Sequence, residues 1–159
     1  MSRQELITCA PHLTLIKEKN LVRKRTRGRE LALQILYQID ITGDTYERSL
    51  ADFWQAHDSE EIKEEVKTFS SELVKGARDN LAAIDAMIEK YATNWELKRM
   101  AVVDRNILRL TSYELLFRDD IPPKVAINEG VELAKKFSDL NAGKFVNGIL
   151  DKIKSEKPE

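Results

Sequence analysis

Apolar residues recur along most of this chain at three- and four-residue spacing, the signature of helices that bury one face. No alternating run is long enough to predict a strand. The first patterned helix is expected over about 27–41, where Leu31, Ile35, Leu36 or Tyr37, and Ile39 fall at helical spacing; Thr26 is its expected N-cap and Ile41-Thr42-Gly43-Asp44 its stop. Further helices are expected over about 45–57 (Leu50, Phe53, Trp54), 60–78 (Ile62, Val66, Phe69, Leu73, Val74) and 79–91 (Leu81, Ile84, Met87 or Ile88, Tyr91). Ser59 offers a loose capping box for the third of these, and Gly76 a bend near its end.

The stretch 100–117 carries Val103, Ile107, Leu110 and Phe117 on one face and Leu108 and Leu115 on the next, so it is expected to be the central, most buried helix. Ile121-Pro122-Pro123 ends it, because a residue before proline disfavours helix and proline lacks a backbone donor. Helices over about 124–138 and 143–154 close the chain. The expected fold is all-α, a single compact bundle of about seven helices. Residues 1–22 lack such a pattern and read as a separate leader, mobile or loosely docked, with at most a short helix over 13–19 and an interruption at Cys9-Ala10-Pro11; the domain proper is then 23–159.

With 159 residues and 42% hydrophobic content, one domain with a real core is the reading, and no apolar stretch approaches a membrane span or a secretory core. One cysteine, Cys9, permits no internal disulfide and fits a reducing, cytoplasmic setting. Two histidines, His12 and His57, give no metal or nucleophile spacing, and no glycine-rich phosphate loop or nucleophile elbow is present. Neither cofactor nor enzymatic activity is expected.

The net charge of −1 conceals a segregation. Residues 1–30 hold eight basic and three acidic side chains, whereas 44–90 hold six basic and twelve acidic ones, a pattern that points to a polyanion-binding surface. The strongest local signal is Arg23-Lys24-Arg25-Thr26-Arg27-Gly28-Arg29. Three of these arginines, Arg25, Arg27 and Arg29, are expected at the first turn of a helix, where the macrodipole opposes cations by about 0.3–1 kcal/mol each and free N–H groups bind phosphate. Arrival of an anion would offset that cost. A basic tail that only aids solubility is the plainer alternative.

Gln34 and Tyr37 lie one turn apart on the same helix, so both can share the arginine-proximal face as RNA contacts, although Tyr37 serves equally as core or as a stacking or hydroxyl contact. A second candidate runs from Lys135-Lys136-Phe137 to Lys144-Phe145-Val146-Asn147-Gly148, where basic and aromatic residues interleave as in single-stranded RNA binders, although Phe137 and Phe145 also fit apolar core stripes.

Several segments together resemble the NusB family of bacterial transcription antitermination factors. They are Arg29 through Gln38, Val103-Asp104-Arg105-Asn106-Ile107-Leu108-Arg109, Tyr113-Glu114-Leu115, Ile121 through Lys135 and Lys144 through Lys152, in the family's order and spacing over residues 23–154. The resemblance implies an all-helical protein that binds the boxA element of nascent RNA as a single strand, jointly with NusE, a small-subunit ribosomal protein. It also implies contact with RNA polymerase and other Nus factors, and suppression of premature termination, notably on ribosomal RNA operons. Carried onto this chain, it puts Arg25, Arg27, Arg29, Tyr37 and the Lys144-Phe145 region on the RNA surface and Asp104 on the NusE-facing surface. Two alternatives stay open: a protein-interaction or homodimerisation module, and an RNA-binding module like that of RNA cytosine methyltransferases.

Overall fold

Residues 3–157 are described by the structure, a computed structural model, with their side chains from Leu13 onward. Among them the chain forms seven α-helices, a short 3-10 turn and no strand: α1 (Arg3–Thr42), α2 (Tyr46–Ala56), α3 (Glu64–Asp79), α4 (Leu81–Tyr91), the 3-10 turn (Leu97–Arg99), α5 (Val102–Phe117), α6 (Pro123–Phe137) and α7 (Leu140–Lys154). No helix of these residues is long and apolar enough to cross a membrane.

Helix α5 is the axis of the bundle, as its pattern predicted, and packs against α1, α3, α4, α6 and α7. Ile107, Leu108, Leu110 and Leu115 are essentially inaccessible and meet Leu31, Ile35 and Leu36 of α1, Leu73 and Val74 of α3, Ile84 and Ile88 of α4 and Val146 and Leu150 of α7 in one core. At about 1.5–3 kcal/mol per fully buried large apolar side chain, this core is the main force holding the helices together. Phe117, expected on the core face, is instead exposed and stacks on Tyr113 with ring centroids 5.8 Å apart.

Charged side chains tie the ends of α1, α4 and α5. Arg105 forks onto Asp40 (2.6 and 2.8 Å), and Arg109 reaches both Asp40 (3.1 Å) and Asp85 (2.8 and 3.0 Å). Burial alone would raise the Asp40 carboxyl, but hydrogen bonds from Arg105 and Asn106 outweigh it and hold it below the usual range.

The largest departure from expectation lies at the N-terminus. Helix α1 is already under way at Arg3 and is not interrupted at Cys9-Ala10-Pro11, so residues 13–27 are helix and Thr26 caps nothing. Residues 13–22 contain neither Gly nor Pro, and Leu, Lys and Glu, all good helix formers, make up six of the ten. Extending a formed helix adds one hydrogen bond per residue without a new nucleus. What the segment lacks is an apolar stripe: Leu13, Leu15, Ile16, Leu21 and Val22 are all exposed. The side chains of Cys9 and His12 lie outside the described ones.

The helix also runs through Gly28, where a β-carbon would come within 2.7 Å of the Phe69 ring, so the glycine lets α3 pack closely against α1 there. Helix α3 starts at Glu64, later than expected, and Ser59 forms no cap. Gly76 makes no bend: it is buried inside α3, where any side chain would overlap the Tyr113 ring. The turn comes at Asn80 instead, whose Nδ2 donates to the Gly76 carbonyl at 2.8 Å.

Candidate nucleic-acid interface

Because α1 is already helix around residue 25, its arginines project from a continuous rod rather than from a helix start. The expected free N–H groups and opposing macrodipole are therefore absent there, since both effects fade within the first turn. What decides each arginine's role is the direction in which it leaves the rod. At 100° per residue, Arg23, Arg27, Glu30, Gln34 and Tyr37 fall within an arc of about 80° and span about 21 Å of helix. Arg23, Arg27 and Tyr37 are exposed, and Glu30 and Gln34 are half-buried. This is a stripe of two arginines, a carboxylate, an amide and an aromatic ring, open to solvent at its arginines and its ring.

Arg25 and Arg29 leave from the opposite side, toward α3 and α5. Their guanidiniums lie 5.0 and 5.4 Å from the centre of the Phe69 ring, which Arg118 approaches at 5.5 Å. Arg25 keeps partial exposure and donates to Asp120 at 3.1 Å. Hydrogen bonding from Arg118, reinforced by Arg25, holds the Asp120 carboxyl far below the ordinary carboxylate range.

Arg29 is only 2% exposed, against the expectation that it lies on the surface. Its Nε donates to Glu114 at 2.8 Å, and Glu129 sits 3.8 Å from its Nη1. Burial pushes the Glu114 carboxyl up, and the attraction of Arg29 opposes that push. The pattern held a clue to this burial: Leu33 and Leu36, four and seven residues on from Arg29, are core residues of the same face.

Helix α6 flanks the stripe. Thr26 donates its hydroxyl proton to Glu129 at 2.9 Å, and Lys136 of the last α6 turn donates to Glu30 at 2.7 Å. Glu30 also receives Arg27 at 3.4 Å, so one carboxylate spaces two cations from two helices. On the other flank Lys24 pairs with Glu65 of α3 at 3.0 Å.

The second expected segment divides. Lys144 is exposed on α7, one residue after Gly143, over which the Lys135 side chain of α6 runs. Phe145 is partly buried, its ring edge-on to Trp95 with centroids 6.3 Å apart. It lines an open depression of about 380 Å³ together with Trp95, Arg99, Met100, Asp104 and Asn141. Phe145 and Asp104, expected on separate surfaces, line the same depression. Asp104 sits in the first turn of α5 with a buried Oδ1 that no group among the described residues satisfies. Trp95, 56% exposed beside it, was passed over in the sequence because nothing in its spacing marks it.

Comparison with known proteins gives a consistent picture. A family model described as the NusB family matches residues 26–155. The transcription antitermination protein NusB of Anaeromyxobacter dehalogenans (strain 2CP-1) is 48% identical over 135 residues, covering 85% of this chain and 93% of that protein. The solved structure of T. maritima NusB is similar with a TM-score of 0.76 at 39% identity, over 85% of this chain and 93% of that one. A crystal structure of the antitermination factors NusB and NusE in complex with dsRNA matches with a TM-score of 0.75 at 30% identity, over 84% of this chain and 98% of the other.

Proposed function

Because this chain belongs to the NusB family, we propose that it is a transcription antitermination factor that binds boxA-containing RNA jointly with NusE and acts with RNA polymerase and other Nus factors. The observation that carries the RNA contact is the α1 stripe, in which Arg23, Arg27, Gln34 and Tyr37 share one exposed side of a helix anchored in the core on its other side. Arginine supplies planar forks for phosphate, Gln34 an amide that both donates and accepts, and Tyr37, 41% exposed, a ring for an unpaired base. An exposed ring of this kind favours single strands, since duplex bases stack on one another and leave none free for it.

Within this reading Arg25 is a secondary phosphate contact that exchanges Asp120 for RNA, and Arg29 is a positioning residue. By holding Glu114 and Glu129, Arg29 fixes α1 against α5 and α6. Lys144 extends the basic surface toward α7. The depression at Asp104 is where NusE docks: it combines the exposed ring of Trp95 and the partly buried ring of Phe145 with the Asp104 carboxylate. The role is that of a non-catalytic adaptor working in the cytoplasm with the transcription machinery.

The experiment is binding of a boxA-containing single-stranded RNA with and without NusE. NusE should tighten RNA binding, and Asp104→Asn should abolish that gain while leaving binding by the chain alone unchanged. A gain that survives Asp104→Asn removes this residue from the partner surface. A homodimer indifferent to RNA would favour the interaction-module alternative, which sedimentation with and without RNA reads directly.

A further inference from the structure

The last turn of α6 has an arrangement that the α1 stripe alone does not require. Lys136 donates to Glu30, which is 12% exposed at its side chain and fixed from the other side by Arg27. The Lys136 side chain is nevertheless 59% exposed, and an ammonium has three donors of which Glu30 takes one. Phe137, the last residue of α6, is 39% exposed, with the Lys136 Nζ 5.4 Å from its ring centre. Next to them, the Lys135 side chain lies over Gly143 of α7, with its ammonium 3.4 Å from Glu132, and Lys144 is exposed one residue on from that glycine. The last turn of α6 thus reaches α1 through Lys136 and α7 through Lys135, and carries an open aromatic ring beside them.

We propose that Lys136 and Phe137 complete the RNA track, Lys136 as a phosphate contact positioned by Glu30 and Phe137 as a stacking platform for an unpaired base. The inference rests on the RNA reading above and adds to it the route of the strand, from α1 across the end of α6 to α7. Single-strand binders combine these two elements, backbone cations and sequence-tolerant aromatic faces. The bland account of the pair is that the macrodipole favours lysines at a helix C-terminus and that Phe137 is leftover apolar surface. The two accounts differ in their response to salt.

The test is a salt titration of the full chain with a boxA-containing single-stranded RNA. Each phosphate contact adds about 0.7 to the log–log slope, so Lys136→Gln should weaken binding and make the slope shallower by about that amount, and Lys136→Arg should restore it. Phe137→Leu keeps apolar bulk but loses the ring; it should weaken binding about tenfold with an unchanged slope, and Phe137→Tyr should bind like the wild type. Thermal midpoints of all four variants confirm that the fold is kept. Wild-type affinity and slope in Lys136→Gln and Phe137→Leu, with Arg27→Gln still impaired, would overturn this inference and leave the RNA reading standing. Absence of salt-dependent RNA binding by the wild type would overturn both.

Discussion

Arg27 and Arg29 are two positions apart and identical in chemistry, yet one faces water and the other is buried against Glu114, because 200° of helix separates their side chains. Their substitutions should therefore fail differently. Arg29→Ala leaves a buried carboxylate without its partner and should cost about 3–5 kcal/mol in denaturant unfolding. Replacing the pair together, as Arg29→Met with Glu114→Leu, should recover most of that loss. An Arg29→Ala protein of wild-type stability would contradict the buried pair. Asp120 acts on the surface: its lowered carboxyl means that its stabilising contribution is present above the usual carboxylate range and is lost as pH falls toward its folded value. The thermal midpoint should accordingly drop on acidification below about pH 4, and less so in Asp120→Asn. Equal drops in the two proteins would take Asp120 out of that transition.

At the scale of elements, residues 13–22 are the clearest test, since they continue α1 with every large apolar side chain exposed. A chain that begins at residue 23 should unfold at the same temperature as the full chain and retain RNA binding; a sharply lower midpoint would show that the segment is part of the bundle. The same segment marks the limit of what patterning reveals. Helices α2, α4, α5 and α6 were legible because each buries a stripe and meets a breaker or cap, as where Pro122 and Pro123 open α6; α7 was legible in its body but starts at Leu140, three residues before the expected 143, because Asp139 caps it by accepting from the Ala142 N–H at 2.7 Å. The first half of α1 was not, because a helix that buries no face leaves no period to read. The late start of α3 was missed because Ile62 lies partly buried in a connection and imitates the first apolar position of a helix. Misplacing the start of α1 also misdirected the electrostatic argument for Arg25, Arg27 and Arg29. Of the three arginines only Arg27 lies on the same side of α1 as Gln34 and Tyr37, and Arg23, not singled out in the sequence, lies there with them.

Across the whole molecule, a nearly neutral sum of charges resolves into opposed surfaces that partly neutralise each other at their border. Lys24 pairs with Glu65 and Arg25 with Asp120, while Arg23 and Arg27 stand on the open side of α1. Membership of the NusB family was legible from the Pro-Lys-Val-Ala-Ile-Asn-Glu run and from Lys-Phe-Val-Asn-Gly. The gathering of Phe145, Trp95 and Asp104 in one depression depends on the packing of α7 against α5 and was not. The central claim is that the open side of α1 is the RNA surface. It is tested most directly by the affinity of a boxA-containing single-stranded RNA across a range of salt concentrations, for the wild type and for Arg27→Gln. The account predicts weaker binding by the variant, with a log–log slope shallower by about 0.7 and an unchanged thermal midpoint. An Arg27→Gln protein with the wild-type affinity and slope would contradict it.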